Sequence, residues 1–593
     1  MTDAPTDNLF FDVERSCTGK RWLERPGDSR QALAISQQFQ LPEIIGRLLD
    51  ARGISADQVD TFLDPKLASS LPDPAHLLDM DIGVTRLIQA IQGQEKIAVF
   101  GDYDVDGATS SALLARYFKA VGAEHQIYIP DRINEGYGPN IPALEKLQKD
   151  GAKVVVTVDC GTTAYEPLAF AKENKLDVIV VDHHVAEAGL PDAVAVINPN
   201  RLDEVSEHGQ LAAVGVAFLL AVALNRGLRK AGHFKDTPEP DLMQWLDIVA
   251  LGTVADMVAL TGVNRALVVQ GLKVMIKRNN AGLSALADVA RMDEAPSTYH
   301  LGFLMGPRVN AGGRVGESYL GAQLLSTDSA EEAFNIAQKL DAYNTERREI
   351  EDIVLQEALA MAENQKAGSV VFIAGQGWHP GVIGIVASRL KERYGLPACV
   401  LTIAEGKATG SGRSITGVDL GACVIAARQA GILSNGGGHK MAAGFSLEED
   451  RLEDFKAFLS ERIGKQIEEE GIVPTINIDG AISVEGATME LVEVLQKLAP
   501  FGTGNAEPRF AFSNVRIAKS DVIGVNHVRC FLSGLDSKKQ LAAIAFRCVD
   551  TELGQALLKH KGLPLHIVGR LRENNWQGRS SVQLLIDDVA LTS

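Results

Sequence analysis

The stretch Ile97-Ala98-Val99-Phe100-Gly101-Asp102-Tyr103-Asp104-Val105-Asp106-Gly107 decides how this chain is read. Its first four residues form an unalternating apolar run, the pattern of a strand buried on both faces of a sheet. Three aspartates at alternate positions follow. Carboxylates this close repel one another, and a divalent cation is the simplest way to hold them in a shared pocket. The triplet also fits the opening of an EF-hand loop. The twelfth residue from Asp102 is Leu113, however, where calcium binding needs a bidentate Glu, and a strand precedes the loop instead of a helix. Capping of the next helix, expected over Ala108 to Ala120, accounts for Asp106 but not for all three acids.

Similar runs recur, with helical stretches between them. Gln126-Ile127-Tyr128-Ile129 leads to Asp131 and Arg132, Val154 to Val158 leads to Asp159 and Gly161, and Val178 to Val181 leads to Asp182, His183 and His184. Such alternation predicts an open parallel α/β sheet, whose ligands bind beyond the carboxyl ends of the strands. The Asp102–Asp106, Asp159 and Asp182–His184 clusters should therefore converge. One Asp after a strand is ordinarily a turn residue; the repetition argues for a metal site. Asp256, in Gly252-Thr253-Val254-Ala255-Asp256-Met257-Val258, follows a helical segment at Leu242 to Leu251. A carboxylate in so apolar a setting is costly unless paired or metal-bound, which makes it a candidate distant ligand.

In order, D-x-D-x-D-G, D-C-G, D-H-H and A-D-M-V resemble the four motifs of the DHH phosphoesterase family. The likeness runs nearly end to end. It includes Phe62-Leu63-Asp64-Pro65, Gly136-Tyr137-Gly138, Pro307 to Arg314 and Pro500 to Asn505, and is strongest to the family's single-strand-specific DNA exonucleases. The resemblance implies a metal-dependent phosphodiesterase digesting single-stranded DNA 5′ to 3′ in repair and recombination. It implies two Mn²⁺ or Mg²⁺ ions, which in two-metal sites generally lie about 3.5 to 4 Å apart and clamp the scissile phosphate. Asp104 would serve the first ion, Asp106, His183 and Asp256 the second, and Asp159 both. Asp102 and Asp182 stand as ligands or as orienting groups, and His184 as a contact to the phosphate or leaving oxygen. Phe100 occupies a position where many family members carry a His, so the first ion has one ligand fewer. The terminal phosphate would fall to Arg132, Arg308, Ser411 and Arg413, with Tyr137, Asn310 and Arg314 as further nucleic-acid contacts. Single-strand-binding protein and a repair helicase are the implied partners.

Composition sets wider bounds. The net charge of −18 over 593 residues argues against nonspecific coating of nucleic acid, which is usually driven by Lys and Arg releasing counterions. A polyanion must therefore meet a local basic track, for which Arg132, Lys277-Arg278, Arg308 with Arg314, Arg347-Arg348, Arg413 and Arg570 with Arg572 are candidates. Six cysteines form no C-x-x-C pair, no run of 18 apolar residues occurs, and no charged-then-apolar leader opens the chain. The expectation is a soluble, monomeric, cytoplasmic protein away from membranes.

Five segments are expected. Residues 1–60 read as an N-terminal extension and 61–335 as the parallel-sheet DHH catalytic domain. Residues 336–368 read as a connecting helix, whose stretch Asp341 to Glu363 carries Ile350, Ile353, Val354, Ala358 and Met361 at helical spacing. Residues 369–470 contain three glycine-rich stretches taken as phosphate-approaching loops: Gly377 to Gly381, Gly410 to Ser414 and Gly436 to His439. The last resembles the signature of the DHHA1-type α/β domain, in which Gly437, Gly438 and His439 would cradle the nucleotide. In residues 471–593, five short strands (Arg516 to Val525, Val528 to Ser533, Leu541 to Phe546, Leu565 to Leu571 and Val582 to Ile586) fit an OB-fold β-barrel for nucleic acid, with Phe531 and Trp576 as stacking candidates. Two other functions compete: a DHH phosphodiesterase for short oligonucleotides or cyclic dinucleotides, and a non-catalytic replication scaffold. The barrel disfavours the first, and the intact set of acids and histidines disfavours the second.

Overall fold

The run Lys96–Gly101 is the second strand of a five-stranded, all-parallel sheet. Its order is His125–Tyr128, Lys96–Gly101, Ala152–Val158, Asp177–Val181, Ala195–Ile197. The computed structural model describes residues 8–132, 134–365, 368–535, 539–560, 562–576 and 579–592. Alternate side chains of each strand serve two cores. Ile97, Val99, Val154, Val156 and Ile179 pack with helices Met80–Gln92, Val105–Ala120 and Ala213–Lys230. Ala98, Phe100, Val155, Val178 and Val180 pack with Ile141–Lys149 and Tyr165–Glu173. Both faces are covered, which is why the strands read as continuous apolar runs. Each fully buried Val or Ile contributes about 1.5–3 kcal/mol.

Strand order reverses between Lys96–Gly101 and its neighbour Ala152–Val158, and at such a switch point the connections leave to opposite sides and open a crevice at the carboxyl ends. Asp102 and Asp159 are the first residues past those two strands. The helix expected after the acidic triplet begins within it, at Val105, with Asp104 as its N-cap accepting the Gly107 N–H at 3.0 Å. A Cβ on Gly107 would collide with the backbone of Asp102, so the tight return of the chain over the strand end requires glycine there.

The connecting helix is longer than its polar stretch indicated, running over Ala330–Glu363. Of the expected apolar stripe, Val354 and Ala358 are buried, whereas Ile353 and Met361 are exposed. The stripe shifts to Ala333, Ala337, Leu340, Val354, Ala358 and Ala362, interrupted by a buried polar group in which Arg347 bonds Asn344 and Glu351. The following sheet is mixed, in the order Asn435–His439, Ala442–Glu448, Lys407–Arg413, Ala398–Ala404, Val371–Gln376. Two of the three glycine stretches are therefore strands and not loops: Gly410 to Arg413 lies in Lys407–Arg413, and Gly436 to His439 lies in the edge strand Asn435–His439.

Residues 67–472 form one compact unit, and residues 1–66 together with 473–593 form the other. The second unit holds a five-stranded barrel: Phe510–Ile523, His527–Ser533, Gln540–Ala545, Arg579–Leu591 and Leu565–Trp576, closed by pairing of the last with the first. The turn at 577–578 and the side chain of Trp576 lie outside the described residues. What the sequence presented as an N-terminal extension is built into this unit. Arg21–Glu24 pairs in parallel with Thr475–Ile478, the buried Trp22 donates its Nε1–H to Asp588 at 2.9 Å, and Ile45, Leu48, Leu49 and Phe62 enter the barrel core. Among the described residues, no helix is long and apolar enough to cross a membrane.

Candidate metal centre and anion pocket

The strand ends bring the sequence-predicted acids together. Ligand atoms of Asp102, Asp104 and Asp159 lie within 4.8 Å of one another, as do those of Asp106, His183 and Asp256, and those of Asp159, His183 and His184. Asp159 belongs to two of these groups. It is buried, and its backbone has φ of 61°, a left-handed conformation in which Asp and Asn are the most tolerated residues after glycine. Tyr137 donates its hydroxyl to the Asp159 carbonyl at 2.9 Å.

Asp106, in the first turn of its helix, is held by another helix start. Its Oδ2 and Oδ1 accept the Ala213 and Val214 N–H groups at 2.7 and 2.9 Å. His183 donates Nδ1–H to the Leu211 carbonyl at 3.1 Å, which fixes the tautomer and leaves the Nε2 lone pair facing inward. That lone pair meets Asp159 Oδ1 at 3.3 Å, Asp256 Oδ2 at 3.7 Å and Asp106 Oδ2 at 3.9 Å. Burial, with the neighbouring His184, pulls His183 down to about 4, so it is neutral at physiological pH. Burial, then Asp104, lifts Asp106 to about 7, and burial, then Asp106, lifts Asp256 to about 9.

Asp182 has a different environment. Its Oδ1 accepts the His183 N–H, the His184 N–H and His184 Nδ1–H at 2.8, 3.2 and 2.7 Å, and its Oδ2 accepts the Thr162 N–H at 3.1 Å. Burial acts to raise it, but the His184 bond and charge hold it well below the usual carboxylate range. Its lone pairs are committed to orienting the two histidines. His184 is the reciprocal case: burial opposes its charge, but Asp182 raises it to about 9, leaving an imidazolium whose Nε2–H is free to donate. Buried Cys160 has its thiol pushed well up by burial and by Asp102, so it is a packed neighbour and not a reactive group.

The donor set fits divalent metal. The buried oxygens Asp102 Oδ1 and Asp159 Oδ1 have no hydrogen-bond partner, although a buried acceptor without one costs on the order of 1–3 kcal/mol. A cation among carboxylates and one neutral imidazole removes that cost, and a mostly oxygen donor set suits Mn²⁺ or Mg²⁺.

A second cluster in the same unit is cationic. Burial, then Arg132, Arg347 and Arg413, depress Arg314 to about 10, and Arg132 likewise lowers Arg413 and His379 after burial. Arg314 donates to the Gly381 carbonyl at 2.8 Å, Arg413 donates to Ser411 Oγ at 2.9 Å, and Arg132 lies 5.1 Å over the Tyr103 ring. Among the described residues, none of Arg132, Arg314 and Arg413 is ion-paired to a carboxylate. His379 caps helix Pro380–Tyr394, whose N-terminal Gly384 comes close enough that a Cβ would stand 3.0 Å from both Arg413 Nη2 and Ser411 Oγ. Guanidiniums held against a helix start without a counter-charge make an anion pocket.

Other candidates fare differently. Arg308 is in helix Gly306–Val315, and its guanidinium binds Asp341 at 2.8 Å and the Leu304 carbonyl at 2.7 Å. Asn310 shares that helix. Gly437 and Gly438 sit in the edge strand, with His439 exposed at its end. Arg570 and Arg572 are neutralised by Glu507 and Asp587, and Arg278 by Asp288. Sequence reasoning missed Asn198 and Asn200, which donate to the His184 and His183 carbonyls at 2.8 and 2.6 Å, as well as Tyr103, whereas His379 falls in the expected glycine-rich stretch Gly377 to Gly381. The Asn-Pro-Asn turn directly after strand Ala195–Ile197 was the available signal for the asparagines.

A parallel sheet carrying these motifs at its switch point, a long helix and a mixed second sheet make up a DHH-type architecture. Residues 96–253 match the model of the DHH family, N-terminal domain, and residues 364–465 match that of the DHHA1 domain. Residues 478–588 match the RecJ OB domain. The chain is 34% identical over 578 residues to the single-stranded-DNA-specific exonuclease RecJ of Bacillus subtilis, covering 96% of this chain and 71% of that protein. It is also 34% identical over 564 residues to the protein of the same name from Escherichia coli, covering 93% and 96%. A crystal structure of RecJ in complex with Mn²⁺ from Thermus thermophilus superposes with a TM-score of 0.79 at 28% identity, covering 96% of this chain and 78% of that one. The chain belongs to the RecJ family.

Proposed function

We propose that the chain is a metal-dependent exonuclease hydrolysing phosphodiester bonds of single-stranded DNA, 5′ to 3′, in cytoplasmic DNA repair and recombination. The observation that carries this reading, made among the described residues, is an acid-rich centre with unpartnered buried oxygens in the same unit as an arginine pocket lacking carboxylates. The first suits metal-assisted attack at a phosphate, and the second suits a terminal phosphate.

Two ions held by Asp102, Asp104, Asp106, Asp159, His183 and Asp256 would neutralise the scissile phosphate and supply an activated water. The rest is done by the chain's own groups. Leu211 and Asp182 orient His183 with its neutral Nε2 inward. The His184 imidazolium, charged because of Asp182, presents Nε2–H to a phosphate or leaving oxygen. Arg314, Arg413 and Ser411 grip a 5′-phosphate bidentately, which fixes how far the strand enters and favours cleavage from the end. The barrel would bind the rest of the strand. Single-strand-binding protein and a helicase as partners, and a monomeric state, belong to the same proposal.

Digestion of 5′-labelled and 3′-labelled single- and double-stranded DNA, with Mn²⁺, Mg²⁺ or EDTA, tests it. Stepwise loss of the 5′ label from single strands only, abolished by EDTA, is expected. Hydrolysis that persists in EDTA, or equal digestion of duplex, would overturn the reading.

A further inference from the structure

Away from the metal centre, a cavity of about 220 Å³ is lined from the start of helix Leu246–Ala255, the end of helix Gly262–Met275 and helix Ala281–Val289. Its walls are largely apolar, formed by Met275, Leu283, Ala287, Met292 and Pro296, and the acid Asp247 lines it as well. Asp247 is 1% exposed. Its Oδ1 accepts the adjacent Ile248 N–H at 2.9 Å, and among the described residues no side chain donates to either oxygen. Arg116 is the cation whose field reaches it, but that guanidinium is committed to the Leu325 and Thr327 carbonyls and to Asp328. Arg278, also on the lining, is held by Asp288 and the Ser284 carbonyl, while the exposed Glu294 adds negative charge.

An acid this deeply buried is expensive unless its remaining lone pairs are used. Asp247 is in none of the metal-binding groups and lies nine residues before Asp256, so the metal centre does not account for it. A dry cavity of about 150 Å³ accepts benzene, so this one has room for a ring with one short substituent. We propose that the cavity is a binding site for a small apolar amine, with its ammonium on the Asp247 carboxylate and its hydrocarbon body against Met275, Leu283 and Met292. An ionised carboxylate only accepts; an alcohol and an ammonium can both donate to it, but the ammonium adds the attraction of opposite charges within a largely apolar wall, so an amine is preferred to the matching alcohol. Burial lifts the acid only to about 6, which leaves it charged at pH 8.

The test titrates cyclohexylamine, and cyclohexanol as its neutral counterpart, into the full-length protein with Mn²⁺ at pH 8, read by ligand-detected NMR and thermal shift. Cyclohexylamine should bind with a Kd near ~1 mM, an ordinary efficiency for so few atoms, and at least about ten-fold more tightly than cyclohexanol. Asp247→Asn should erase that preference, because a neutral amide offers the ammonium no opposite charge, while cyclohexanol still binds. Ala287→Met, which fills the cavity from another wall and spares the acid, should weaken both probes. Equal affinity for amine and alcohol, an unchanged preference in Asp247→Asn, or no binding up to about 20 mM would overturn the proposal.

Discussion

Asp159→Asn is the most informative perturbation, because asparagine tolerates the residue's φ of 61° and keeps its size while removing one charge. Alanine would add backbone strain to the loss of a ligand. Asp159 Oδ1 lies 3.3 Å from His183 Nε2 and has no hydrogen-bond partner, and burial together with Asp104, Asp106, Asp102 and Asp256 pushes its carboxyl well up. Without metal the wild-type group is a net cost, whether it stays charged among other acids or takes up a proton. In EDTA the variant should therefore be more stable by about 1–3 kcal/mol, the usual cost of an unsatisfied buried polar group. With metal the order reverses. An ion at 100 times its Kd stabilises wild type by about 2.7 kcal/mol, roughly 3 °C in Tm for the unit of residues 67–472, since an unfolding entropy of about 2.1 cal/mol/K per residue gives about 1.2 °C per kcal/mol. The variant should lose most of that rise. If the ligand contributes about 4 kcal/mol to the barrier, hydrolysis falls about a thousand-fold. Thermal denaturation in EDTA and in Mn²⁺, beside turnover of a 5′-labelled oligonucleotide, measures all three quantities. A variant that keeps the Mn²⁺ shift and near-wild-type turnover, or is less stable than wild type in EDTA, would refute the metal assignment.

The metal-free protein should lose stability as pH rises from about 4 to about 9, most steeply below about 7, where both raised carboxyls contribute. Asp106 and Asp256, lifted to about 7 and about 9, hold protons in the folded state that the unfolded chain has released, and denaturant titrations in EDTA should show this negative slope, with Mn²⁺ affinity rising over the same window. A flat profile would contradict it. Asp182→Asn should drop the His184 titration from about 9 toward the ordinary value near 6.5, so that activity survives better at pH 6 than at pH 8; His184 imidazole NMR shifts report it directly. Arg413→Ala should narrow the preference for 5′-phosphorylated over 5′-hydroxyl strands while Mn²⁺ binding stays unchanged, and competition kinetics that retain the full wild-type preference would place the phosphate pocket elsewhere. Deleting 473–593 alone should yield insoluble protein, because Trp22, Ile45 and Leu48 lose their partners. Deleting 1–66 as well should restore a soluble unit that cleaves short oligonucleotides and binds long strands weakly. Gel filtration and filter binding distinguish these outcomes.

By itself the sequence determined the parallel sheet, the convergence of Asp102, Asp104, Asp106, Asp159 and His183 at its strand ends, and the arrival of Asp256 from a later helix. Those features are local: apolar runs set the strands, and sheet topology places whatever follows them at one edge. Tertiary structure decided the rest. Asp182 and Asp106 look alike in sequence, yet Asp182 is saturated by four donors while Asp106, anchored by Ala213 and Val214, still faces His183. The imidazole tautomer of His183 depends on a carbonyl 28 residues away. Whether an arginine is free to bind phosphate depended on distant acids, since Asp341 claims Arg308 and Glu507 claims Arg572, whereas among the described residues Arg314 and Arg413 meet no carboxylate. The N-terminal segment found its place through partners far along the chain, Thr475–Ile478 beside Arg21–Glu24 and Asp588, 566 residues from Trp22. Charge state and partner choice depend on which groups the fold brings within a few ångströms, and periodicity carries no record of contacts between positions so far apart.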